Sequence, residues 1–214
     1  RLQTDYIDII QSHIDFREPT MDIFLEGFQR LQRDGKVRAY GVSTSDFDYL
    51  QAFNADEGCA TLQVDYSILN RTPEADIFPY CQEHNIGVIV RGALAMGILT
   101  GKYSVDSRFP EGDFRRNWHE NADERAIYLN DLKKVAALEP LAQGRLKNGR
   151  SPAQLALQFT LAHPAVTTVI PGAKNVRQMR DNIAAGLLPP LSAAEMAQID
   201  ALVPQGGGRK IWPA

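Results

Sequence analysis

The sequence has little that is typical of a secreted, membrane-spanning or nucleic-acid-binding protein. Its 214 residues include two cysteines, Cys59 and Cys81, in no spacing that indicates a metal site. No apolar run approaches the roughly 20 residues of a membrane span. The 23 basic and 26 acidic residues are well mixed and give a net charge of −3, so neither nucleic acid nor an anionic membrane is expected as a partner. No signal peptide is recognisable, and we therefore expect free thiols and a cytoplasmic protein.

A hydrophobic content of 44% in 214 residues is enough to bury the core of about one domain. The chain begins with Arg1 rather than methionine, and residues 6–11 already have the apolar pattern of a core strand. We therefore expect the sequence to be the later part of something longer.

Strand and helix patterns alternate along the chain. Strands are predicted over residues 6–11, 37–43, 62–66, 88–90 and 167–170, and helices over 20–35, 45–53, 74–85, 123–147, from 151, 175–185 and 192–202. Five successive strand-helix units predict a parallel sheet with helices outside, an α/β fold. A doubly wound sheet would need a glycine fingerprint after its first strand, which is lacking, and a closed (β/α)₈ barrel needs eight units. Five units do not close such a barrel.

The stretch from Gly87 to Lys102 is the most informative part of the sequence. The apolar run Val88–Val90 predicts a buried strand, and Gly92, Gly97 and Gly101 follow it. Small residues allow close approach of a ligand, and free backbone N–H groups beside a lysine suit a diphosphate. An ordinary glycine turn after a buried strand explains this spacing equally well. A second strand that leads into a glycine and a lysine, residues 169–174, favours the ligand-binding interpretation.

Residues 104–122 interrupt the alternation. The segment is polar and aromatic by turns and is too long for a simple connection, so we predict a functional loop. Four of its side chains, Phe109, Phe114, Trp118 and His119, either contact a substrate or pack the loop against the domain.

Five segments together resemble the aldo-keto reductase family and occur in the order of that family. They are residues 5–13 (DYIDIIQSH), 41–44 (GVST), 62–71 (LQVDYSILNR), 97–102 (GILTGK) and 170–174 (IPGAK). The resemblance covers nearly the whole chain. It implies strands four to eight of an eight-stranded barrel, that is, a single aldo-keto reductase-like domain over residues 1–214 that lacks the N-terminal part of the barrel.

The resemblance assigns one catalytic residue and part of a nicotinamide site. His13 matches the family histidine that hydrogen-bonds the substrate carbonyl, and barrel enzymes keep catalytic groups at the C-terminal ends of strands. Ser43, Thr44 and Gln63 match positions that hold the nicotinamide carboxamide, although the family often has asparagine where Thr44 stands. Arg91 occupies the position of an aromatic ring that stacks on the nicotinamide; its guanidinium either stacks there or pairs with a carboxylate.

The same resemblance implies where the rest of a dinucleotide lies. The pyrophosphate path is implied along Gly92, Ala93, Leu94, Met96 and Gly97, with Lys102 nearby. The adenosine end is implied at Ile170, Gly172, Ala173, Lys174, Gln178, Asp181 and Asn182. Lys174 lies near the N-terminal end of a predicted helix, where a phosphate is favoured, and this points to NADPH more than to NADH. Lys174, Arg177 and Arg180 are alternatively a solvated basic face.

The implied chemistry is hydride transfer from NADPH to a small aldehyde or ketone. The acid of the family is a tyrosine, assisted by a lysine and an aspartate, and no position of this sequence matches the three. We therefore do not expect these 214 residues to be active alone. Two alternatives follow: the greater part of an NADP(H)-dependent oxidoreductase, or a non-catalytic nucleotide-binding or structural subunit. The substrate and the oligomeric state stay open.

Overall fold

The structure is a computed structural model that describes residues 2–13, 21–143 and 149–210. Its centre is one parallel sheet in which the strands follow chain order, β1-β2-β3-β4-β5. The strands are β1 (Ile7–His13), β2 (Val37–Ser43), β3 (Cys59–Asp65), β4 (Gly87–Arg91) and β5 (Val166–Val169). This confirms the predicted α/β class, and the five units correspond to part of a (β/α)₈ barrel.

Eight helices connect or flank these strands in the described residues. They are α1 (Met21–Arg33), α2 (Phe47–Phe53), α3 (Ile77–Glu83), α4 (Asn117–Glu120), α5 (Ala122–Gln143), α6 (Pro152–Ala162), α7 (Val176–Ala185) and α8 (Ala193–Leu202). Short 3₁₀ turns cover Thr72–Glu74, Ala95–Thr100 and Phe114–Arg116. The predicted capping boxes are present: Ser151 pairs with Gln154 at α6, and Ser192 with Glu195 at α8.

Alternate residues of the strands face opposite sides of the sheet. Val42, Leu62 and Val88 have no exposed surface and form one row on the side covered by helices. The opposite side carries polar groups, and there Gln63 donates from Nε2 to Oε1 of Gln11 at 3.1 Å. The hydrogen bond crosses β2 between β1 and β3.

Gly41 lies in register between Gln11 of β1 and Thr61 of β3. A Cβ at Gly41 would lie 2.1 Å from the backbone oxygen of Thr61, so no larger residue fits there without movement of the backbone. The register of β2 against β3 also shifts between Tyr40 and Gly41.

Two predicted helices differ from the structure. The helix expected over 74–85 is divided into the 3₁₀ turn at Thr72–Glu74 and α3, because the Asp76 side chain accepts the backbone N–H of Ile77 and starts a new helix. The helix expected over 123–147 is described from Ala122 to Gln143, and residues 144–147 lie outside the described residues. The predicted loop 104–122 contains α4 and a 3₁₀ turn.

Cys59 and Cys81 are free and buried, as expected. None of the helices described is both long and apolar enough to cross a membrane.

Candidate functional site

The loops that follow β4 and β5 line one cavity of about 660 Å³, here called the β4–β5 cavity. Residues from both predicted segments contribute to it. They are Gly92, Ala93, Leu94, Met96, Gly97 and Lys102 from the first, and Ile170, Gly172, Ala173, Lys174, Gln178, Asp181 and Asn182 from the second. The structure therefore brings together two loops that lie about 75 residues apart in the sequence. The strands β4 and β5 are neighbours and parallel, so their C-terminal ends meet at one edge of the sheet.

The loop after β4 has an unusual backbone. Gly92, Ala95, Met96 and Gly97 all have positive φ angles, of 71°, 47°, 55° and 94°. Positive φ values are uncommon outside glycine and are frequent at ligand-binding sites. The loop uses at least four of its N–H groups itself: Ala95 donates to the oxygen of Gly92 at 2.7 Å and Gly97 to that of Leu94 at 2.8 Å, while Leu99 and Gly101 donate within the loop at 3.3 Å. A diphosphate cradle in this loop would therefore depend on the remaining N–H groups.

Three side chains organise the loop before α7. The side chain of Asn175 caps the helix by accepting from the backbone N–H of Gln178 at 3.0 Å. Oε1 of Gln178 accepts from the backbone N–H of Lys174 at 2.7 Å, and Nδ2 of Asn182 donates to the oxygen of Gly172 at 3.4 Å. As predicted, Gln178 and Asn182 share one helix face and both line the cavity. Oε1 of Gln178 and Nδ2 of Asn182 already bond the backbone of the loop, so the other polar atom of each side chain is the one left for a ligand.

The charges around the cavity are mostly positive. Lys174 and Arg177 are exposed, and among the described residues no carboxylate lies within salt-bridge distance of either. The ammonium group of Lys102 lies 4.7 Å from the ring centre of Tyr103. A group of this kind, with an aliphatic stem and solvated charge, is suited to binding phosphate.

Arg115 also lines the cavity, but its charge is balanced. Its guanidinium donates to both carboxylate oxygens of Asp113 and to the hydroxyl of Tyr103. The hydrogen bonds from Arg115, with a smaller contribution from the charge of Lys174, lower the pKa of Asp113 to about 2. Lys174 and Asp113 therefore interact electrostatically across this end of the cavity.

The remaining predicted residues lie at the C-terminal ends of β1 to β3. His13 is paired in register with Ser43, and Ser43 with Gln63, so the three form one row on adjacent strands. His13 is exposed, Gln63 is half-buried and Ser43 is 5% exposed. The assignment of this row to catalysis and to the carboxamide stays a prediction.

Thr44 and Arg91 have local partners. The hydroxyl of Thr44 accepts from the N–H of Asp46 at 3.0 Å, and Thr44 has no exposed surface, so a ligand reaches its side chain only if neighbours move. Arg91 donates to Oγ of Ser45 at 3.3 Å and lies in register with Asp65 of β3. The contact with Ser45 fixes the guanidinium of Arg91 near the C-terminal ends of β2 and β4.

The aromatic residues of the long loop fall into two groups, and contact with a substrate stays a prediction. Phe109, Trp118 and His119 pack against one another and against Tyr128, and Trp118 is 6% exposed. Nδ1 of His119 accepts a hydrogen bond from the guanidinium of Arg125 at 2.8 Å, and burial together with nearby positive charges lowers the pKa of His119. Phe114 instead lines the β4–β5 cavity and is 50% exposed.

Several lining residues carry no signal in the sequence that singles them out. Thr100, Arg115, Ser151 and Ala153 complete the cavity walls. Ser151 was identifiable as a helix cap, but only the packing of α6 beside the two loops brings it to the cavity. In the part of the chain that the structure describes, no group of three or more His, Cys, Asp or Glu side chains is arranged to bind a metal ion.

Comparison with known proteins gives a consistent result. A sequence model described as "Aldo/keto reductase family" matches residues 1–204. "Uncharacterized oxidoreductase YqkF" of Bacillus subtilis is 30% identical over 204 residues, which are 94% of this chain and 61% of that protein. "Aldo-keto reductase YhdN" of the same organism is 33% identical over 181 residues, 84% of this chain and 53% of that protein.

Solved structures are also similar. The glycerol dehydrogenase AKR11B4 from Gluconobacter oxydans is similar with a TM-score of 0.81 and 30% identity over 100% of this chain and 63% of its own. An aldo/keto reductase from Klebsiella pneumoniae in complex with NADP and acetate has a TM-score of 0.65 and 27% identity over 94% of this chain and 60% of its own. The chain spans between 53% and 61% of the length of the two curated relatives named above.

Proposed function

This chain belongs to the aldo/keto reductase family, and we propose that the protein containing it is an NADP(H)-dependent oxidoreductase that reduces aldehydes or ketones to alcohols. The observation that carries the proposal is the β4–β5 cavity, where two loops and three exposed cations, Lys102, Lys174 and Arg177, line one space of about 660 Å³. A similar structure contains NADP. We further propose that residues 1–214 belong to one reductase-like domain.

The residues present suit a phosphorylated dinucleotide. The walls of the cavity are formed by small or apolar residues, such as Gly92, Ala93, Leu94 and Ala173, along which a backbone can approach a ligand closely. Lys174 and Arg177, which have no carboxylate within salt-bridge distance among the described residues, lie at the α7 end, where the N-terminus of a helix adds a further positive potential. These features favour NADPH over NADH through the additional phosphate.

NADPH, when bound, would supply the hydride for the carbonyl carbon of the substrate, and the carbonyl oxygen would take up a proton, for which no residue of this chain is assigned. His13 donates a hydrogen bond to the carbonyl oxygen, where negative charge develops. Ser43 and Gln63, in the same row of strand ends, orient the carboxamide. Arg91, which donates to Ser45, ends β4 and directly precedes Gly92 of the β4–β5 cavity.

The experiment is a direct assay of the purified native protein that contains this chain, since residues 1–214 alone are not expected to be active. Binding of NADPH is followed by the fluorescence of Trp118, which packs at a loop that borders the cavity; Trp212 lies outside the described residues. Reduction is then followed with NADPH deuterated at C4 and a panel of small aldehydes and ketones. We expect saturable binding and one deuterium on the carbinol carbon of the product.

The outcomes separate the two functions considered for this sequence. NADPH binding without turnover of any carbonyl compound would support the non-catalytic, nucleotide-binding alternative. Absence of NADPH binding would contradict the assignment of the cavity itself.

A further inference from the structure

A second cavity, of about 620 Å³, lies on the other side of one wall of the β4–β5 cavity. It is bounded by α5, the start of α6 and the loop Gly101–Val105, and is here called the α5–α6 cavity. Its apolar lining includes Leu99, Tyr103, Leu132, Val135 and Leu155. Volume and lining are typical of a small-molecule site, for which about 300–1,000 Å³ and mostly apolar walls are usual.

The α5 wall is one continuous helix face. Leu132, Val135, Glu139 and Ala142 follow one another at spacings of three or four residues, so they lie along the same side of α5. Leu132 and Val135 are half-buried, and Val105 on the opposite loop is 49% exposed. Apolar surface is thus left accessible to solvent on both sides of the cavity, and a ligand that covers it gains about 25 cal/mol per Å² of buried apolar area.

The polar groups of the lining determine the charge of a suitable ligand. Arg150 is the cation among the lining residues, but its guanidinium donates to Glu195 at 2.9 Å and to Gln158 at 2.8 Å, and its side chain is 1% exposed. Its charge is therefore balanced and out of reach. Glu139 is exposed and accepts from Nε2 of Gln143 at 3.1 Å. The accessible charge is thus negative, which disfavours an anion and favours a ligand that donates a hydrogen bond.

The wall between the two cavities is one residue thick. Thr100 and Lys102 line the β4–β5 cavity, whereas Gly101 and Tyr103, which alternate with them, line the α5–α6 cavity. At α6 the same alternation places Ser151 and Ala153 on one side and Pro152 on the other.

The two parts of the wall touch. A Cβ on Gly101, which has a φ of +71°, would lie 3.3 Å from Cγ of Pro152. The ring of Tyr103 also extends to the first cavity, since a Cβ on Gly97 would lie 3.2 Å from it and its hydroxyl accepts from Arg115. An occupant that packs on Gly101, Tyr103 and Pro152 therefore restricts the motion of residues that face the other cavity.

We propose that the α5–α6 cavity binds a neutral, largely apolar small molecule that carries a hydroxyl group, of the class of alkylphenols and aliphatic alcohols, and that this ligand tightens dinucleotide binding. The hydroxyl donates to Glu139 and the apolar part covers Leu132 and Val135. The ligand orders the shared wall before the dinucleotide binds. Dinucleotide binding then no longer has to order the wall, so part of its entropic cost is removed. The effect on dinucleotide binding rests on the proposed function, whereas the binding of the small molecule does not.

The test uses 4-propylphenol as the probe and 4-propylbenzoate as its anionic counterpart, with binding to the purified protein measured by isothermal titration calorimetry. The variant is Ala136→Phe, because Ala136 is exposed on α5 and lines the cavity, so that the ring fills it. The matched control is Ala137→Phe, at the next exposed position of α5, which does not line the cavity. Circular dichroism checks that both variants retain their helices.

We expect 4-propylphenol to bind the wild-type protein and Ala137→Phe with similar affinity, and Ala136→Phe at least about tenfold more weakly, a difference of about 1.4 kcal/mol. Absence of binding, equal binding to both variants, or tighter binding of 4-propylbenzoate would overturn the proposed site.

The second measurement is NADPH affinity with and without saturating 4-propylphenol. We expect tighter NADPH binding in the wild-type protein and Ala137→Phe, and no change in Ala136→Phe. An unchanged NADPH affinity in the wild-type protein would overturn the coupling. Binding of 4-propylphenol by a protein that does not bind NADPH would contradict the proposed function and leave the α5–α6 site intact.

Discussion

The backbone N–H of Lys174 donates to Oε1 of Gln178 at 2.7 Å, one turn into α7. The contact fixes the loop that carries Lys174 to the helix that follows it. Because Gln178 also lines the β4–β5 cavity, one side chain serves both the loop and any ligand beside it. The charge of Lys174 and the shape of its loop are therefore separable by substitution.

Lys174→Glu tests the charge. Replacing the exposed ammonium group by a carboxylate places a negative charge where the proposed phosphate lies, and we expect NADPH to bind at least about tenfold more weakly, with little change for NADH. Dissociation constants come from fluorescence titration. Lys133→Glu makes the same change of net charge at an exposed position of α5 outside the cavity, and NADPH affinity should be unaffected. Equal weakening of both nucleotides by Lys174→Glu would mean that the phosphate lies elsewhere.

Gln178 tests the shape of the loop. In Gln178→Ala the N–H of Lys174 loses its acceptor, so we expect NADPH and NADH to be weakened by similar factors. Gln178→Glu keeps an acceptor but adds a negative charge, and it should weaken NADPH more than NADH. Fluorescence titration of each variant with NADPH and with NADH gives the factor by which each nucleotide is weakened. If Gln178→Ala weakens neither nucleotide, the hydrogen bond has no part in nucleotide binding.

His13→Ala tests the proposed catalytic contact at the end of β1. Loss of one hydrogen-bond donor to a developing oxyanion typically lowers kcat by about 10²–10³-fold. We expect a fall of this order with any substrate that the protein reduces, and no change in NADPH affinity, since His13 does not line the β4–β5 cavity. A rise in KM with kcat unchanged would assign His13 to substrate binding alone.

The two cysteines provide a test of the core. Burial raises the pKa of Cys59 and of Cys81 to about 12, so at pH 8 only about one thiol in ten thousand is ionised. We expect no reaction of the native protein with an aromatic disulfide reagent at pH 8, and reaction of both thiols in urea. Rapid modification of the native protein would show that these core positions are accessible.

A buried ion pair holds the segment after β3 to α8. The guanidinium of Arg71 donates to Glu74 at 2.9 Å and to Asp200 at 2.6 Å, and its side chain is 3% exposed. Arg71→Met leaves the Glu74 carboxylate buried without its partner, and we expect a loss of about 3–5 kcal/mol in the free energy of unfolding. In Arg38→Met, which removes the exposed pair with Asp8, the loss should be about 1 kcal/mol or less. Urea denaturation measures the free energy of unfolding of both variants. Equal losses would mean that the buried Arg71 ion pairs stabilise the fold no more than the exposed pair of Arg38.

The sequence predicted the strands and helices of this fold better than the breaks within the helices. Capping residues such as Ser151 and Ser192 marked helix starts correctly because the capping box is a local interaction. The break before α3 was missed, although Asp76 is a possible cap, because the apolar residues that predict this helix, Ile77, Phe78 and Cys81, all lie after it. Local patterns do not show which of two competing hydrogen bonds a short side chain makes.

The site was predictable where it lies on the two glycine-containing loops, and less so elsewhere. Arg115, Ser151 and Ala153 reach the β4–β5 cavity only through the packing of distant segments, for which a single sequence carries no signal. The α5–α6 cavity was not predicted either. Leu132 and Val135 have the spacing of an ordinary core stripe, and only the structure shows that part of the stripe is left uncovered.

In the proposed complex, the loops after β4 and β5 hold one dinucleotide between them. Hydrogen–deuterium exchange of the purified protein with and without saturating NADPH tests it directly. We predict protection of the backbone amides in both residues 92–102 and residues 172–182, with no change in α8. Protection of only one of the two loops, or of neither, would contradict the claim.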